Sequence, residues 1–242
     1  MLAYTRFEVV RTLRNARFLV LTMLMPALLY LFFDRVGSGV MNAYLMVAMA
    51  GFSMIGATIS ANCVTLPAER ASGWLRQLRI TPLSGPAWVT ARIAQATVAV
   101  VPGLAVIAAC GLLFGHVQLT AGQWAAFAAL VLAGSVPFSF LGLLLGQVLD
   151  AQAAQPVQGL LTMLLSFGGG LFIPLATFPE PLRTAAGLLP THLFYQVGQD
   201  VMAARLPAAA GLAGLAAWAL SLAALALVIW SRQDGRRLAV GR

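Results

Sequence analysis

The sequence contains no lysine and few charged residues of any kind. Charged residues make up 9% of the 242 residues, whereas hydrophobic residues make up 60%. An ordinary soluble domain carries roughly 25% charged residues, so too few remain here to build a polar outer shell. The composition excludes a soluble globular fold and indicates an integral membrane protein.

The motifs that usually carry chemistry are also missing. The sequence has no GxxxxGK[ST] phosphate loop, no HExxH, no GxSxG and no DxDxDG calcium loop. Cys63 and Cys110 lie far apart in apolar runs, and neither His116 nor His192 has a cysteine or carboxylate at ligand spacing. We therefore expect no catalytic residue, no metal site, no bound cofactor and no ATPase site on this chain.

What the sequence does contain is six long apolar runs without a charged residue. A helix needs about 20 residues to cross the hydrocarbon core, so five runs are long enough, and the first reaches that length if Arg17 snorkels. Pro102 and Pro137 lie inside runs and are expected to kink them. The predicted fold is an all-α membrane protein with six transmembrane helices. The runs are Phe18–Phe33, Met41–Leu66, Ile93–Phe114, Trp124–Leu149, Val157–Ala176 and Ala208–Trp230.

The arginines indicate the orientation of these runs. The formal net charge is +8, and an inward N-terminus leaves only Arg35, Arg183 and Arg205 on the outer side. Cytoplasmic loops are enriched in basic residues, so both termini are predicted to be cytoplasmic. Because the arginines form no stripe on a polar domain, we expect no nucleic-acid partner.

Residues 1–17 predict an amphipathic helix at the membrane surface. Arginines alternate there with Leu2, Phe7, Val10 and Leu13, although two arginines intrude on the apolar face. A basic start before an apolar run also fits a signal peptide, but the basic part is long and no A-x-A-like cleavage site follows.

The segment Pro67–Pro86 lies between the second and third runs, on the predicted cytoplasmic side. Its spacing predicts one short amphipathic helix that begins near Pro67 and stops at the Thr81-Pro82 pair. The apolar face holds Ala71, Trp74, Leu75 and Leu78, and the opposite face holds Ser72, Arg76 and Arg79. Such a helix either rests on lipid headgroups or docks a soluble partner.

Residues 171–207 form the longest outer connection. Prolines break it into short pieces, and the stretch after Pro181 predicts a short helix that ends before Pro190. The segment is either an ordinary outer loop with an aromatic belt or a pair of re-entrant half-helices, which are allowed only where protein buries their broken backbone.

Two segments together resemble one family. The first reads ERxxGxLxxLxxTPLS from Glu69 to Ser84 and resembles the cytoplasmic signature of ABC-2 type permeases, the membrane subunits of ATP-driven exporters. The second has Phe172-x-Pro174, then Phe178-Pro179-Glu180-Pro181-Leu182 and Pro190, and is similar to that family's outer segment between the fifth and sixth spans. The family often carries a glutamate soon after the glycine, where this sequence has Arg76 and Gln77.

The resemblance implies a single ABC-2 type transmembrane domain over residues 1–242, with the helix 1–17, the coupling loop 67–86 and the outer segment 171–207 as its parts. It also implies a separate ATP-binding subunit that holds ATP and Mg²⁺, a second permease copy, and a bacterial plasma membrane. The residues assigned to ATPase docking are Glu69, Arg70, Trp74, Leu75, Arg76, Leu78 and Arg79. Those assigned to the outer gate are Phe172, Pro174, Phe178 and Pro179.

The cargo follows only from the character of the spans. An apolar, adaptable lining predicts a hydrophobic small molecule such as a drug or antibiotic, with a lipid or lipid-linked glycan as the alternative. The lining residues are Phe52, Met54, Thr58, Asn62, Met163, Ser166 and Phe167, for which core packing is an equally good explanation. A different class, an ATP-independent channel or secondary carrier, is disfavoured because the runs hold no charge. An intramembrane enzyme is disfavoured because no residue cluster suggests one.

Overall fold

A computed structural model describes residues 10–11, 14, 16–34, 40–74 and 85–240 of the chain. The described residues form helices and no strand, which confirms the all-α prediction. Most of the predicted interface helix 1–17, and all of residues 75–84, lie outside them. The helices are α1 (Ala16–Asp34), α2 (Val40–Cys63), α3 (Thr65–Ala71), α4 (Gly85–Val98), α5 (Val101–Leu113), α6 (Ala121–Val148), α7 (Ala151–Gly168), α8 (Glu180–Gly187), α9 (Pro190–Met202) and α10 (Ala209–Val240).

Among the described residues, four helical stretches are long and apolar enough to cross a membrane. They are Met41–Ala71, Gly85–Leu113, Ala121–Val148 and Ala209–Ile229, and a shorter apolar helix covers Met23–Asp34. The protein is therefore a multi-pass membrane protein. The count of six spans stays a prediction, because α1 and α7 are not among the four.

Two helical stretches are interrupted near a proline. Pro67 and Pro102 have no N–H to donate to the carbonyl four residues earlier. The helical hydrogen-bond pattern accordingly breaks at Val64, between α2 and α3, and at Ala99–Val100, between α4 and α5, although Val64 and Val100 keep helical φ and ψ. The helix boundary near Pro102 lies where a kink was expected, whereas α6 passes through Pro137 without a break.

The predicted run Val157–Ala176 is wrong at both ends. Asp150 accepts hydrogen bonds from the backbone N–H groups of Gln152 and Ala153, at 3.1 and 2.7 Å, and this cap starts α7 at Ala151. The helix ends at Gly168, and Gly170 takes a φ of +83° that only glycine adopts freely. The chain then passes through a 3₁₀ turn, Leu175–Thr177, to α8, which is the short helix expected before Pro190.

Helix α2 is the centre of the bundle, and α6 packs closely against it. A Cβ on Gly142 would lie 2.7 Å from the carbonyl oxygen of Ile59, and one on Gly146 would lie 2.5 Å from that of Asn62. These glycines, which have the small-xxx-small spacing of closely packed membrane helices, therefore let the two backbones touch. Farther along α6, the ring of Phe194 on α9 fits between Gly51 and Gly134, where added Cβ atoms would lie 2.8 and 2.7 Å from it.

The prediction of one continuous helix from Pro67 to Thr81 is wrong. Helix α3 ends at Ala71, and Gly73 takes a φ of +77°, which no helix accommodates. Ala71 and Trp74 consequently do not share one helical face. Glycine supplies a left-handed stop that the hydrophobic spacing of this segment did not reveal.

Candidate functional site

Glu69 on α3 is the centre of a buried ionic cluster. Its carboxylate is only 3% exposed, and Arg11 Nη1 donates a hydrogen bond to Oε1 at 2.7 Å. The guanidinium of Arg92, which is fully buried on α4, donates to Oε2. One carboxylate thus connects three parts of the chain: the N-terminal segment, the end of the second predicted span and the start of the third.

The surroundings of Arg92 account for its burial. Trp88, Arg92 and Gln95 share the buried face of α4, and Arg92 Nη1 donates to Gln95 Oε1 at 3.3 Å. The guanidinium carbon lies 5.6 Å from the ring centre of Trp88, a distance at which the π face attracts a cation. An opposite charge, an amide and an aromatic ring together replace the water that Arg92 loses.

This cluster lies just beyond two of the predicted apolar runs. Glu69 follows Met41–Leu66 and Arg92 precedes Ile93–Phe114, and both residues belong to helical stretches that are long and apolar enough to cross a membrane. Two opposite charges in contact are close to neutral as a unit, so helices can bury them together. The pair therefore joins the ends of two predicted spans without placing a charge inside either predicted run.

Arg70, the neighbour of Glu69, closes the end of α6. Its guanidinium donates to the backbone carbonyl oxygens of Gly146 and, at 3.4 Å, Leu149. The last carbonyls of a helix have no partner within it and carry partial negative charge, so a cation is well placed there. Glu69 and Arg70 thus both bond within the chain, and α3 is held between α4 and α6.

The remaining residues assigned to docking lie just beyond this cluster. Trp74 is half-buried and follows the left-handed Gly73. The other four lie outside the described residues, so their role stays a prediction. They are Leu75, Arg76, Leu78 and Arg79.

The residues assigned to the substrate path fall into two groups. Four are fully buried within the bundle, where Thr58 Oγ1 donates to the Met54 carbonyl at 2.7 Å and Ser166 Oγ donates to the Thr162 carbonyl at 2.7 Å. These side chains pack the core of one chain. The four are Met54, Thr58, Asn62 and Ser166.

The other path residues lie on a surface, together with one gate residue. Phe172 contacts Phe52 with ring centroids 5.2 Å apart and Phe167 with centroids 4.9 Å apart. Met163 and Phe167 are exposed on the same side of α7. The structure thereby brings the partly exposed members of the predicted path to the predicted gate residue Phe172. The other gate residues, Pro174, Phe178 and Pro179, follow in the next turns and are exposed or half-buried.

Helix α7 turns its polar side inward. Gln158 Nε2 donates to Thr162 Oγ1 at 3.0 Å, and both residues are buried with Ser166. Thr162 faces Gly56 of α2, where an added Cβ would lie 3.8 Å from its methyl group. The outward side is apolar, with Leu160, Met163 and Leu164 exposed. A polar seam against α2 and an apolar outer face suit a helix surrounded by lipid or by another apolar surface.

Comparison with known proteins agrees with these features. A family model described as ABC-2 family transporter protein matches residues 33–231. The chain belongs to the ABC-2 transporter family. YvfS of Bacillus subtilis (strain 168), which carries the name of a transport permease, is 28% identical over 193 residues, covering 77% of this chain and 79% of the relative.

Membership identifies the chain as a membrane permease of an ABC transporter and implies an ATP-binding partner. The ABC-2 match includes α3, Gly73 and α4, and therefore includes Glu69 and Arg92 of the ionic cluster. Arg11 lies before the matched residues.

Sequence reasoning did not find the partners of Glu69. The residue was assigned to ATPase docking, whereas its partners lie within the chain, 23 and 58 positions away. One signal was available, because Trp88, Arg92 and Gln95 follow helical spacing on a face that is otherwise small and apolar. A charged residue on such a face needs a partner of opposite charge, and Glu69 is the nearest acidic residue in sequence.

Proposed function

We propose that this chain is the permease subunit of an ABC exporter, in which two permease copies in a bacterial plasma membrane work with two copies of a separate ATP-binding subunit. The partner binds ATP and Mg²⁺, and the chain itself has no ATPase site. Both termini and residues 67–86 face the cytoplasm in this proposal, consistent with the distribution of arginines. The six predicted spans, with residues 1–17 at the membrane surface, form one domain over residues 1–242.

The observation that carries this proposal is the attachment of the predicted docking region to the bundle. Residues 75–84 are bounded by Trp74 on one side and by α4 on the other. Glu69 binds Arg92 on α4 and Arg11 on the N-terminal segment, so both flanks of the docking region and the interface segment meet at one carboxylate. A pull on this region is thereby transmitted to α3, α4 and residue 11 together.

This attachment refines the docking assignment. The carboxylate of Glu69 and the guanidinium of Arg70 bond inside the chain, so we assign them to holding the docking region in place. We assign contact with the ATPase to Trp74, Leu75 and Leu78, which form the apolar centre of the interface. Arg76 and Arg79 surround this centre. An aromatic anchor surrounded by charge is typical of small interfaces.

The outer part of the proposal concerns cargo. The edge-to-face and tilted contacts among Phe52, Phe167 and Phe172 form an aromatic surface that joins α2, α7 and the turn after it. Aromatic surfaces bind varied apolar molecules. We assign this surface to a hydrophobic cargo such as a drug or antibiotic, with a lipid or lipid-linked glycan as the alternative, and assign α8 and α9 to closing the path as re-entrant half-helices.

The docking assignment is tested by coupled ATP hydrolysis. The chain is reconstituted in vesicles with a candidate ATP-binding subunit, and vesicle-dependent ATPase activity is measured. Trp74→Asp and Leu78→Asp place a charge at the centre of the proposed contact and are expected to reduce that activity at least about tenfold, as loss of a central interface residue does. Leu206→Asp is the matched control, because Leu206 is 95% exposed and lies between α9 and α10.

Three results would contradict the proposal. Coupled ATPase activity that survives both substitutions removes the docking assignment. Export that continues without ATP while an ion gradient persists favours a channel or secondary carrier. ATP hydrolysis by the isolated chain contradicts the absence of an ATPase site.

The cargo is tested separately with the same vesicles. Hydrophobic drugs and lipids are compared for their ability to stimulate ATPase activity. Phe172→Ala is expected to weaken stimulation by the true cargo while basal activity remains, because it removes the ring between Phe52 and Phe167. Equal stimulation in wild type and variant would remove Phe172 from the cargo surface.

A further inference from the structure

The end of the bundle away from Glu69 holds a cluster of oxygen atoms that no part of the proposed function uses. It lies where α1 ends, α2 begins and α5 has just ended. Its members are the Tyr30 hydroxyl, the Asp34 carboxylate, the Asn42 amide and the backbone at Gly111 and Gly115. Tyr30 and Asp34 are one helical turn apart on α1, so both face the same neighbours.

Two glycines create the space for this cluster. A Cβ on Gly115 would lie 3.2 Å from Asp34 Oδ1 and 3.2 Å from the carbonyl oxygen of Gly111, and closer still to the Tyr30 hydroxyl. Asn42 Nδ2 donates to the Gly115 carbonyl at 3.3 Å, which anchors the amide at the same place. The Gly111–Gly115 pair thus leaves a polar cradle that a side chain would fill.

Three oxygen atoms of the cradle lack a partner within the part of the chain that the structure describes. They are Tyr30 Oη, Asp34 Oδ1 and Asn42 Oδ1. Tyr30 is fully buried and Asn42 is 6% exposed, so bulk water does not solvate these two side chains. Buried polar atoms are almost always paired, and three unpaired oxygens around one point indicate a missing positively charged partner or a missing donor.

We propose that this cradle binds a small monovalent metal cation, for which Na⁺ is the probe. The set offers one carboxylate, one amide oxygen, one hydroxyl and nearby backbone carbonyls, which are hard oxygen ligands. A single carboxylate balances a single positive charge, whereas Ca²⁺ and Mg²⁺ sites use more carboxylates or stricter octahedral geometry. The described residues hold no group of three His, Cys, Asp or Glu side chains, the kind of ligand set that a softer metal would use.

The occupied site would tie three helices together. Asp34 ends α1, Asn42 lies in the first turn of α2, and Gly115 follows α5. A cation that binds all three stabilises the folded chain in proportion to its occupancy, because the unfolded chain has no such site. Cation binding at this end would thus control how firmly α1 is held against α2 and α5.

The test uses the full chain purified in detergent without sodium. Thermal unfolding is followed while NaCl replaces choline chloride at constant ionic strength, so that screening is unchanged. The wild type is expected to show a saturable rise in Tm with Na⁺, and direct binding of radioactive Na⁺ should give the same midpoint. Asp34→Asn and Tyr30→Phe are expected to weaken Na⁺ binding at least about tenfold, as removal of a metal-site partner does.

Glu180→Gln is the matched control, because Glu180 is an exposed carboxylate on α8, and it should keep the full sodium response. The readout is the change in Tm caused by Na⁺, and not the Tm value itself. A variant that is less stable for another reason can therefore still be compared with the wild type. Tyr30→Phe keeps the ring and serves if Asp34→Asn fails to fold. Equal Tm values for the wild type in NaCl and choline chloride would overturn the proposal and indicate that the cradle holds ordered water. A sodium response that is unchanged in Asp34→Asn would also overturn it.

Discussion

The two ends of the bundle each carry a carboxylate at a meeting point of helices, and they satisfy it differently. Glu69 is almost fully buried and receives hydrogen bonds from Arg11 and Arg92. Asp34 is partly exposed and faces a hydroxyl and an amide oxygen, with no partner for its Oδ1 among the described residues. The comparison teaches that burial alone does not define the role of an acidic residue. The chain itself supplies the counter-charge at one end, and at the other the described residues supply none, which is where the proposed cation would act.

The largest effect is expected from removing the counter-charge of Glu69. Arg92→Met leaves the buried Glu69 carboxylate with Arg11, a partner whose side chain is half exposed. Removing one partner of a buried ion pair costs about 3–5 kcal/mol. The free energy of unfolding in detergent should fall accordingly. The double change Glu69→Met with Arg92→Met should recover a large part of the loss, because it leaves no uncompensated charge.

Arg183→Met is the control for that experiment. Arg183 is exposed on α8, so its replacement should change stability by less than about 0.5 kcal/mol. If Arg92→Met and Arg183→Met lower the free energy of unfolding by the same amount, the Glu69 end does not depend on its counter-charge as described.

A second test asks whether packing also holds the Glu69 end. Gly146→Ala would place a Cβ 2.5 Å from the carbonyl oxygen of Asn62, on the helix whose terminal carbonyls Arg70 caps. Overpacking of this kind typically costs about 1–3 kcal/mol, seen as a lower Tm. Gly159→Ala is the control, because nothing lies within 4 Å of its added Cβ and alanine favours a helix. Equal Tm values for the two variants would show that α2 and α6 do not need their close approach.

The third prediction is that removing the charge of Asp34 and removing the charge of Glu69 change stability in opposite directions. In sodium-free buffer Asp34→Asn should raise stability by about 1 kcal/mol, because it removes a charge that has no hydrogen-bond partner for its Oδ1 among the described residues. Glu69→Gln should lower stability, because it leaves Arg92 buried without a full counter-charge. Thermal unfolding of both variants in one buffer makes the comparison, and a change of the same sign in both would contradict it.

The smallest effect is expected from pH. His192 lies on α9, outside the four candidate spans, and burial lowers its pKa, while a hydrogen bond to the Gly169 carbonyl at 3.3 Å acts in the opposite direction. The unfolded chain then binds more protons than the folded chain just below pH 6.5, so stability is full above that pH and falls as the pH drops through this window.

His192→Gln should remove this pH dependence from the unfolding curve. His116→Gln, in the exposed turn after α5, should leave it unchanged. A slope that persists in His192→Gln would assign it to another group.

Local patterns predicted much of this fold. The apolar runs located most of the helices, and Pro102, where a kink was expected, lies beside the interruption between α4 and α5. Gly142 and Gly146, which have the spacing of a helix-packing motif, lie where α6 touches α2. Each of these follows from the preferences of a few neighbouring residues: apolar length, a missing N–H or a missing side chain.

The candidate site was less accessible from the sequence. Hydrophobic periodicity grouped Ala71 with Trp74 on one helical face, but it does not reveal the left-handed turn at Gly73 that separates them. It could not show that Glu69 binds residues 23 and 58 positions away, because partner choice depends on which helices meet in three dimensions. For the same reason it placed Met54 and Phe52 in one lining, although Met54 is fully buried and Phe52 contacts Phe172.

The inward polar side of α7 has a consequence for how the protein is made. Gln158, Thr162 and Ser166 lower the apolar character of this helix, which is not among the four that are apolar enough to enter a bilayer by composition. Insertion into the membrane during synthesis favours segments that lipid solvates well, so α7 depends on α2 as a companion that covers its polar side. A bulky residue at Gly56, where α2 meets Thr162, should therefore leave some newly made chains with α7 on the wrong side of the membrane.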